Sequence, residues 1–204
     1  MKHSMIILAT AIAAAGAAAA AHQTPAQPPA GQKPASAQPS SARPASGAGI
    51  VRAHADIKGE GITGTAEFVE SQQGSGKIVN ITVAVTGLKA GMHGVHLHAV
   101  GKCTPDFAAA GGHFDPGPAG NPDPDANHPF HMGDIPQITA PATGRAMMRA
   151  ATTRVTLSEG PLSLFDADGS AIIIHGNPDQ GITGEARSGV SGGPRVACGV
   201  IEKK

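Results

Sequence analysis

The sequence predicts an all-β domain folded as an antiparallel sandwich or barrel. Short apolar segments with period-2 alternation recur along the chain, and glycine-rich or proline-rich breaks separate them. Beyond the N-terminus, no segment longer than ten residues carries a clear helical stripe. About eight such segments fall in a region of the size of one domain, which is typical of a sandwich or barrel. The chain has no Trp or Tyr and five Phe, so we expect a core of Val, Ile, Leu, Ala and Met.

Residues 1–21 are predicted to be a secretory signal peptide. Lys2 precedes an alanine-dominated apolar run that ends in Ala19-Ala20-Ala21 before His22, which is the pattern of an A-x-A cleavage site. An uncleaved anchor is the minor alternative. Both cysteines lie far downstream, which excludes lipid anchoring through a cysteine next to the run. We therefore expect a periplasmic or secreted protein with no stable membrane association after cleavage.

Residues 22–49 are predicted to be a disordered tether, and residues 50–204 the folded domain. The tether consists of Pro, Ala, Ser and Gln with almost no large apolar residue, so it cannot bury enough surface to offset its ordering entropy. The remaining domain carries 12 basic and 15 acidic side chains, a net charge of −3 with neutral histidines. This balance favours neither nucleic acid nor an anionic membrane as a partner.

The strands follow from alternation and from the breaks between segments. The alternating apolar positions are Val51, Ala53, Ala55 and Ile57 in the first segment, and Val79, Ile81, Val83 and Val85 in the third. The other predicted strands span residues 62–69, 94–100, 135–139, 145–156, 171–175 and 195–201. Two stretches, 102–133 and 176–194, are too long for simple turns. Long loops on a rigid β scaffold commonly carry function.

The cysteine count predicts a disulfide bond. Cys103 and Cys198 are the only two cysteines, and an even number in an exported chain favours pairing. The alternative is two unpaired buried thiols. A bridge that closes so long a loop stabilises the folded state by ~4 kcal/mol in the chain-entropy model.

The histidines point to metal binding. Seven of the ten fall between His93 and His175, and His96 and His98 stand two apart in a predicted strand. Residues i and i+2 of a strand project from the same face, so both imidazoles could reach one metal ion. The alternative for such a pair is a solvated position on an exposed face.

The first long loop adds ligands of a second kind. It contains three further histidines, His113, His128 and His131, followed by Asp134, and this set suits a closed tetrahedral zinc site. His175 ends a very apolar strand, where an isolated histidine is more often a satisfied core residue. The whole inventory exceeds the needs of one zinc ion and predicts two adjacent metals.

Five motifs in a fixed order resemble one known family. They are Gly94-Val95-His96-Leu97-His98, Gly111-Gly112-His113-Phe114, His131-Met132-Gly133-Asp134, His175 with Asp179, and Arg195-Val196-Ala197-Cys198-Gly199. Over residues 50–201 the chain resembles the bacterial, exported copper,zinc superoxide dismutases. The resemblance implies an eight-stranded Greek-key barrel or sandwich, immunoglobulin-like, with two long functional loops. It implies copper and zinc as cofactors and superoxide as the substrate, and the family contains monomers as well as homodimers.

The resemblance also implies roles for single residues. The implied copper ligands are His96, His98, His113 and His175, and the implied zinc ligands include His113, His131 and Asp134, with His113 bridging both metals.

Further roles follow in the same way. Arg195 matches the arginine that guides superoxide to copper, and His113 can supply a proton, so these two are the catalytic candidates. Asp179 matches the carboxylate that orients one histidine of each metal. The family disulfide matches Cys103 with Cys198, and His93 matches a structural histidine that binds no metal.

The sequence departs from the family pattern at the third zinc histidine. That residue usually lies eight or nine positions beyond the bridging histidine, where Asn121 and Pro122 stand here. His128 is the only spare histidine and is assigned to zinc, with an ordinary surface loop residue as the alternative. The second long loop also looks about three residues short.

Two other function classes use similar residues. A non-catalytic exported copper and zinc buffer would need the same histidines, but it has no need of Arg195 beside an open copper position. A zinc hydrolase would need an open zinc with water and a general base, and no His-Glu-x-x-His signature is present. The sequence therefore favours dismutation of superoxide.

Overall fold

The computed structural model describes residues 49–117 and 123–204. The predicted signal peptide and all of the predicted tether except Gly49 lie outside the described residues, as do Asn121 and Pro122. Among the described residues, no helix has the length and apolar character needed to cross a membrane.

The described residues form ten strands and a single 3₁₀ turn. The strands are β1 (Val51–Gly59), β2 (Ile62–Gln73), β3 (Gly76–Thr86), β4 (Gly91–His93), β5 (Val95–His98), β6 (Ile138–Ala140), β7 (Ala146–Thr152), β8 (Ala171–His175), β9 (Arg195–Val200) and β10 (Glu202–Lys203), and the 3₁₀ turn is Phe107–Ala110. This part of the chain has no α-helix, and the predicted all-β class is confirmed.

The strands pair antiparallel throughout the two sheets. The main sheet has the order β5-β8-β9-β1-β2-β3-β7, and β10 pairs with β1 to give eight strands. β4 and β6 form a separate two-stranded sheet. Some strands that are distant in sequence are neighbours in the sheet: β5 pairs with β8, and β1 pairs with β9. Some of the loops that connect successive strands therefore run from one end of the sheet to the other. This topology brings the two long loops to the same region as β5 and β8.

Strand boundaries differ from the sequence prediction in several places, and four of them have a clear reason. β4 and β10 were not predicted, because two or three residues are too few to show alternation. β6 begins at Ile138 instead of residue 135, since Pro136 has no N–H for a ladder hydrogen bond. β7 ends at Thr152 instead of residue 156, where the Thr152 hydroxyl accepts a hydrogen bond from the Arg154 N–H and the chain turns.

The core has the predicted aliphatic composition. The alternating positions of β1 and β3 are buried, apart from Val51, which is only partly so. Phe68 and Phe114 are the largest fully buried side chains and lie within the same cluster. The period-2 prediction for both strands is confirmed.

A smaller cluster surrounds the disulfide. Cys103 and Cys198 are joined, at a sequence separation of 95 residues. Cys198 packs with three buried residues of β8 and the 3₁₀ turn, and Cys103 and Phe107 pack against the same group. The bridge therefore fixes the start of the first long loop to β9.

The end of the first long loop lies directly against β5. Gly133 accepts a hydrogen bond from the Leu97 N–H at 3.0 Å and donates to the Phe114 carbonyl at 2.8 Å. A Cβ at Gly133 would lie 2.3 Å from the Leu97 carbonyl oxygen, so only glycine permits this approach. As a result, His96 pairs with Asp134 and His98 pairs with His113 in isolated β-bridges.

Candidate metal centre

Six histidines and one aspartate converge at one end of the main sheet, and all seven are buried. They are His96, His98, His113, His128, His131, His175 and Asp134. All of them except His131 fall into two groups, and within each group the ligand atoms lie within 4.8 Å of one another. The first group is His96, His98, His113 and His175, and the second is His96, His113, His128 and Asp134.

β5 supplies two histidines of the first group. His96 and His98 are each 0% exposed, so the alternative of a solvated pair on an open face does not apply. β5 is an edge strand in the main sheet, and the residues around Gly133 and His113 cover it through the β-bridges described above. Burial of two polar rings on one short strand is favourable only when their nitrogens find partners.

Each of three histidines in the first group uses one ring nitrogen for a hydrogen bond to the protein. The Nδ1 atom of His98 lies 3.0 Å from the Gly111 carbonyl, and the Nδ1 atom of His175 lies 3.0 Å from the Gly193 carbonyl. Since a carbonyl only accepts, both Nδ1 atoms carry the proton and both Nε2 atoms keep a lone pair. His96 instead places Nε2 2.9 Å from the Asp179 carboxylate, which leaves Nδ1 with the lone pair.

The opposite nitrogens have no hydrogen-bond partner among the described residues. These buried atoms are Nδ1 of His96 and Nε2 of His98, His113 and His175. Burying a polar nitrogen that has no partner costs free energy, so four such imidazole nitrogens in one cluster favour a bound ligand. Four imidazoles suit copper in both oxidation states, so the residues present fit a copper ion.

His175 is held in place by a close approach of the second long loop. A Cβ at Gly192 would lie 2.7 Å from Cβ of His175, and Gly192 has a φ of 107°. Glycine is therefore required on both counts. Its neighbour Gly193 supplies the carbonyl that accepts from His175, so the loop orients this ring directly.

Asp134 lies at the centre of the second group and also contacts His131, which is outside that group. Its Oδ1 lies 2.6 Å from Nδ1 of His113 and 3.3 Å from Nδ1 of His128, and its Oδ2 lies 3.1 Å from Nδ1 of His131. The His131 N–H donates to the same carboxylate at 2.8 Å. One carboxylate and three imidazoles with the same nitrogen turned inward fit a tetrahedral zinc site.

Asp179 joins the two groups. Its Oδ2 contacts Nε2 of His96 at 2.9 Å, and its Oδ1 contacts Nε2 of His128 at 2.7 Å. His96 falls in both groups by distance. Its Nε2 is hydrogen-bonded to Asp179, so only Nδ1 is available to a metal ion. The family resemblance implies that Asp179 orients one histidine of each metal, and its carboxylate contacts one histidine in each group.

Gln137 holds the main chain of Asp179. The Gln137 side-chain oxygen accepts from the Asp179 N–H at 2.9 Å, and its amide nitrogen donates to the Asp179 carbonyl at 2.8 Å. This residue could not be predicted from the sequence, because a single glutamine after a proline carries no recognisable signal. Asp125, which is buried in the first long loop, was not predicted either.

Burial and the local charges set the protonation of the cluster. Burial lowers the pKa of His113 and of His175 to about 3 and lowers that of His98 well below its ordinary value. These rings are therefore neutral near pH 7, the form that binds a metal ion. Burial would raise the pKa of Asp134, but its contacts with three histidines outweigh that effect and hold the pKa below its usual range.

His128 differs from the other histidines in its electrostatics. Burial alone would lower its pKa, but the neighbouring carboxylates of Asp134 and Asp179 outweigh that effect and raise the pKa to about 9. The ring is 0% exposed, so the alternative of an ordinary surface residue does not apply. It lies between two carboxylates that also contact His96 and His113.

Arg195 lies beside the first group, at the start of β9 and opposite His175 in the β8–β9 ladder. Its guanidinium donates to the Phe107 carbonyl at 2.7 Å and to the Gly111 carbonyl at 2.6 Å. Gly111 is the residue whose carbonyl also accepts from His98. Arg195 is half-buried, and a guanidinium keeps its positive charge there.

His93 lies outside both groups. Its ring nitrogens are 2.8 Å from the His175 carbonyl and 2.9 Å from the Lys89 carbonyl. These contacts agree with the structural role expected from the sequence.

Comparisons with known proteins point to one family. The family model for copper/zinc superoxide dismutase (SODC) matches residues 62–201. The chain is 40% identical over 152 residues to a superoxide dismutase [Cu-Zn] of Deinococcus radiodurans, covering 69% of this chain and 78% of the relative. It is 39% identical over 146 residues to superoxide dismutase [Cu-Zn] 2 of Brassica juncea, covering 70% and 90%.

Solved structures agree with the sequence comparisons. A double mutant of a SOD-like protein from Bacillus subtilis matches with a TM-score of 0.60 and 32% identity, over 72% of this chain and 95% of that chain. A single mutant of a SOD-like protein from the same organism matches with a TM-score of 0.58 and 29% identity, with the same coverage.

Proposed function

The chain belongs to the copper/zinc superoxide dismutase family, and on that premise we propose which of its residues perform the dismutation. The protein is an oxidoreductase that uses copper and zinc and converts superoxide to dioxygen and hydrogen peroxide. In our proposal His96, His98, His113 and His175 hold copper, and His113, His128, His131 and Asp134 hold zinc. The observation that carries it is the set of four buried imidazole nitrogens for which the described part of the chain offers no hydrogen-bond partner.

Bound copper supplies a one-electron couple, so that one superoxide ion is oxidised to dioxygen and the next is reduced to peroxide. The protein's own residues determine how the anion arrives and where its protons come from. Arg195 presents a fixed positive charge beside the four imidazoles and draws the superoxide anion towards them. Its two hydrogen bonds to backbone carbonyls hold the guanidinium in this position.

His113 has the geometry to move a proton. Its Nδ1 faces Asp134 and its Nε2 faces the copper ligands. If Nε2 were released from copper, a ring held at Nδ1 could take up a proton there, pass it to the reduced product and return to the same position. Reduction of superoxide to hydrogen peroxide needs two protons, and His113 would supply one of them.

The same site argues against the metal-buffer alternative. A buffer needs only the histidines, whereas this chain also positions Arg195 through the carbonyl of Gly111, which orients His98 as well. One backbone group therefore fixes both a proposed ligand and the proposed anion guide. Family membership also favours the enzyme over the buffer.

We also propose that the protein is exported to the periplasm or secreted after removal of residues 1–21. The disulfide between Cys103 and Cys198 is typical of an oxidising compartment. Intact mass and N-terminal sequencing of the protein from a periplasmic fraction should place the new N-terminus at His22. Recovery of the full-length chain would contradict this proposal.

A matched pair of variants tests the metal assignment. His175→Ala should lose copper and dismutation while keeping zinc, because His175 belongs to the first group and not to the second. His128→Ala should lose zinc while keeping copper, because the proposed copper ligands are all elsewhere. Metal content per chain and superoxide consumption are measured on both.

Each variant serves as the control for the other. Full activity in His175→Ala would overturn the copper assignment. One zinc per chain in His128→Ala, bound as tightly as in the parent, would overturn the assignment of His128 and leave zinc on three protein ligands.

A further inference from the structure

A buried carboxylate outside the proposed ligand set joins the two long loops. Asp125 is 2% exposed and lies in the first long loop. Its Oδ2 accepts from the Gly189 N–H at 2.7 Å, and its Oδ1 accepts from the Ser191 N–H at 3.0 Å and the Ser191 hydroxyl at 2.7 Å. All three donors belong to the second long loop. Charge-assisted hydrogen bonds of this kind are about twice as strong as neutral ones.

The same short segment has further contacts with the second loop. The Asp125 carbonyl accepts from the Gly184 N–H at 3.0 Å. The His128 carbonyl accepts from the Thr183 hydroxyl at 2.7 Å. Between these two residues Asn127 has a φ of 61°, a left-handed conformation that asparagine tolerates better than most residues. The chain therefore turns sharply between Asp125 and His128.

The segment of the second long loop that Asp125 contacts also lies beside the proposed copper site. Ser191 directly precedes Gly192, which packs against His175, and Gly193, whose carbonyl orients the His175 ring. Asp125 thus binds the loop segment that holds a proposed copper ligand, while its own segment carries a proposed zinc ligand. Its side-chain hydrogen bonds go to Gly189 and Ser191 rather than to either ring.

We propose that Asp125 is a positioning residue for the zinc site, which acts by fixing the segment 125–128 to the second long loop so that His128 stays within reach of Asp134. This inference rests on the proposed zinc ligands. It differs from the role of Asp179, which contacts the His128 ring directly. Without the Asp125 side chain, the Asp179 contact and the contacts of Gly184 and Thr183 with the segment's carbonyls remain, but the segment loses its three charge-assisted hydrogen bonds to the second long loop.

Zinc affinity of the whole protein tests this role, with three variants and the parent. Asp125→Ala removes all three side-chain hydrogen bonds and should bind zinc ~10–100-fold more weakly, the usual cost of losing a group that supports a ligand. Asp125→Asn keeps an oxygen for Ser191 but sets an amide against the Gly189 N–H, so it should fall between Asp125→Ala and the parent. Ser191→Ala removes one bond and should also be intermediate. Competition with a chromophoric chelator measures the affinities.

Cobalt(II) gives a second readout that a loss of stability alone would not change. Its visible absorption at a tetrahedral site depends on the ligands, so Asp125→Ala should alter the spectrum of the cobalt-substituted protein. Glu70→Gln is the matched control, because Glu70 is also a buried carboxylate that accepts backbone N–H groups, but it lies on β2, outside the site. Glu70→Gln should lower stability and leave zinc affinity and the cobalt spectrum as in the parent.

The outcomes separate this inference from the assignment on which it depends. Parent-like zinc affinity in both Asp125→Ala and Ser191→Ala would overturn the inference. If Asp125→Ala does not fold, Asp125→Asn and Ser191→Ala decide the question by the same measure. Parent-like zinc affinity in His128→Ala would instead show that the zinc assignment is wrong. If His128→Ala loses zinc and Asp125→Ala binds it like the parent, only the role of Asp125 is rejected.

Discussion

At the scale of single residues, each ring is fixed by the group bonded to its second nitrogen. Carbonyls of Gly111 and Gly193 and the carboxylate of Asp179 select the tautomers of three histidines. A metal ion would then meet lone pairs that are already aimed. The same hydrogen bonds offset part of the free energy that burial of these polar rings costs, because one nitrogen of each ring is hydrogen-bonded.

Arg195 permits a residue-scale prediction about the approach of the substrate. Arg195→Ala should lower the rate of superoxide consumption ~10-fold or more, since a fixed charge raises the encounter rate of an oppositely charged ligand. Copper and zinc content should not change, because Arg195 is not a proposed ligand. Measurements across ionic strength should show a flatter salt dependence in the variant. A rate and salt dependence equal to those of the parent would exclude Arg195 as the anion guide.

Gln137 gives a second prediction at this scale. Gln137→Ala removes both hydrogen bonds to the main chain of Asp179, so Asp179 should orient His96 and His128 less well. We expect zinc affinity to fall ~10-fold. Isothermal titration with zinc checks this, with Glu70→Gln as the control. An unchanged affinity would mean that the contacts of Asp179 with the two rings suffice to hold it.

At the scale of elements, β2 is joined to the chain after β7 by one buried acid. Glu70 is 1% exposed and accepts from the Leu157 N–H at 2.5 Å and the Ser158 N–H at 3.0 Å, and Lys77 lies 3.5 Å away. Burial would raise its pKa, but the hydrogen bonds to Ser158 and Leu157 and the charge of Lys77 together lower it from 4.5. The carboxylate form is therefore the one that the fold stabilises.

Glu70→Gln should lower the free energy of unfolding by ~2 kcal/mol near pH 7, the range for a hydrogen-bonded buried charge. Because the folded-state pKa lies below the unfolded value, this contribution is complete above about pH 4.5 and disappears as the pH falls through the folded-state pKa. Urea unfolding of the metal-free proteins should therefore show a gap between parent and variant that closes in acid. A gap that is constant with pH would contradict this account.

At the scale of the whole molecule, the disulfide connects the first long loop with β9. Phe107 packs against the cluster around Cys198, and its carbonyl accepts from Arg195. The bridge therefore supports both the fold and the position of the proposed anion guide. Its two halves are 95 residues apart in sequence, so it also restricts the unfolded chain.

Reduction of the disulfide should lower stability and activity together. The chain-entropy model gives a loss of ~4 kcal/mol, and the freed loop should hold Phe107 and Arg195 less firmly. Melting temperature and superoxide consumption are measured before and after dithiol treatment, and metal content is checked so that loss of copper is not mistaken for loss of guidance. If neither quantity changes, the bridge supports neither the fold nor the site.

Much of this protein was predictable from local sequence patterns. Alternation in β1 and β3 fixed which faces are buried, because side chains of a strand alternate strictly between its two sides. The spacing of His96 and His98 placed two imidazoles on one side for the same reason. The cysteine count predicted the disulfide, since two thiols in an oxidising compartment pair when they can meet.

Only the tertiary structure decided how distant residues meet. Nothing in the spacing of His128 separated a zinc ligand from a loop residue, whereas the fold buries its ring between Asp134 and Asp179. The carbonyls of Gly111 and Gly193 could not be read from sequence, because every residue has one and only the fold directs it towards a ring. Asp125 and Gln137 were missed for a related reason. Their partners lie 42 or more residues away, and a sequence pattern reports the neighbours of a residue along the chain, not across the fold.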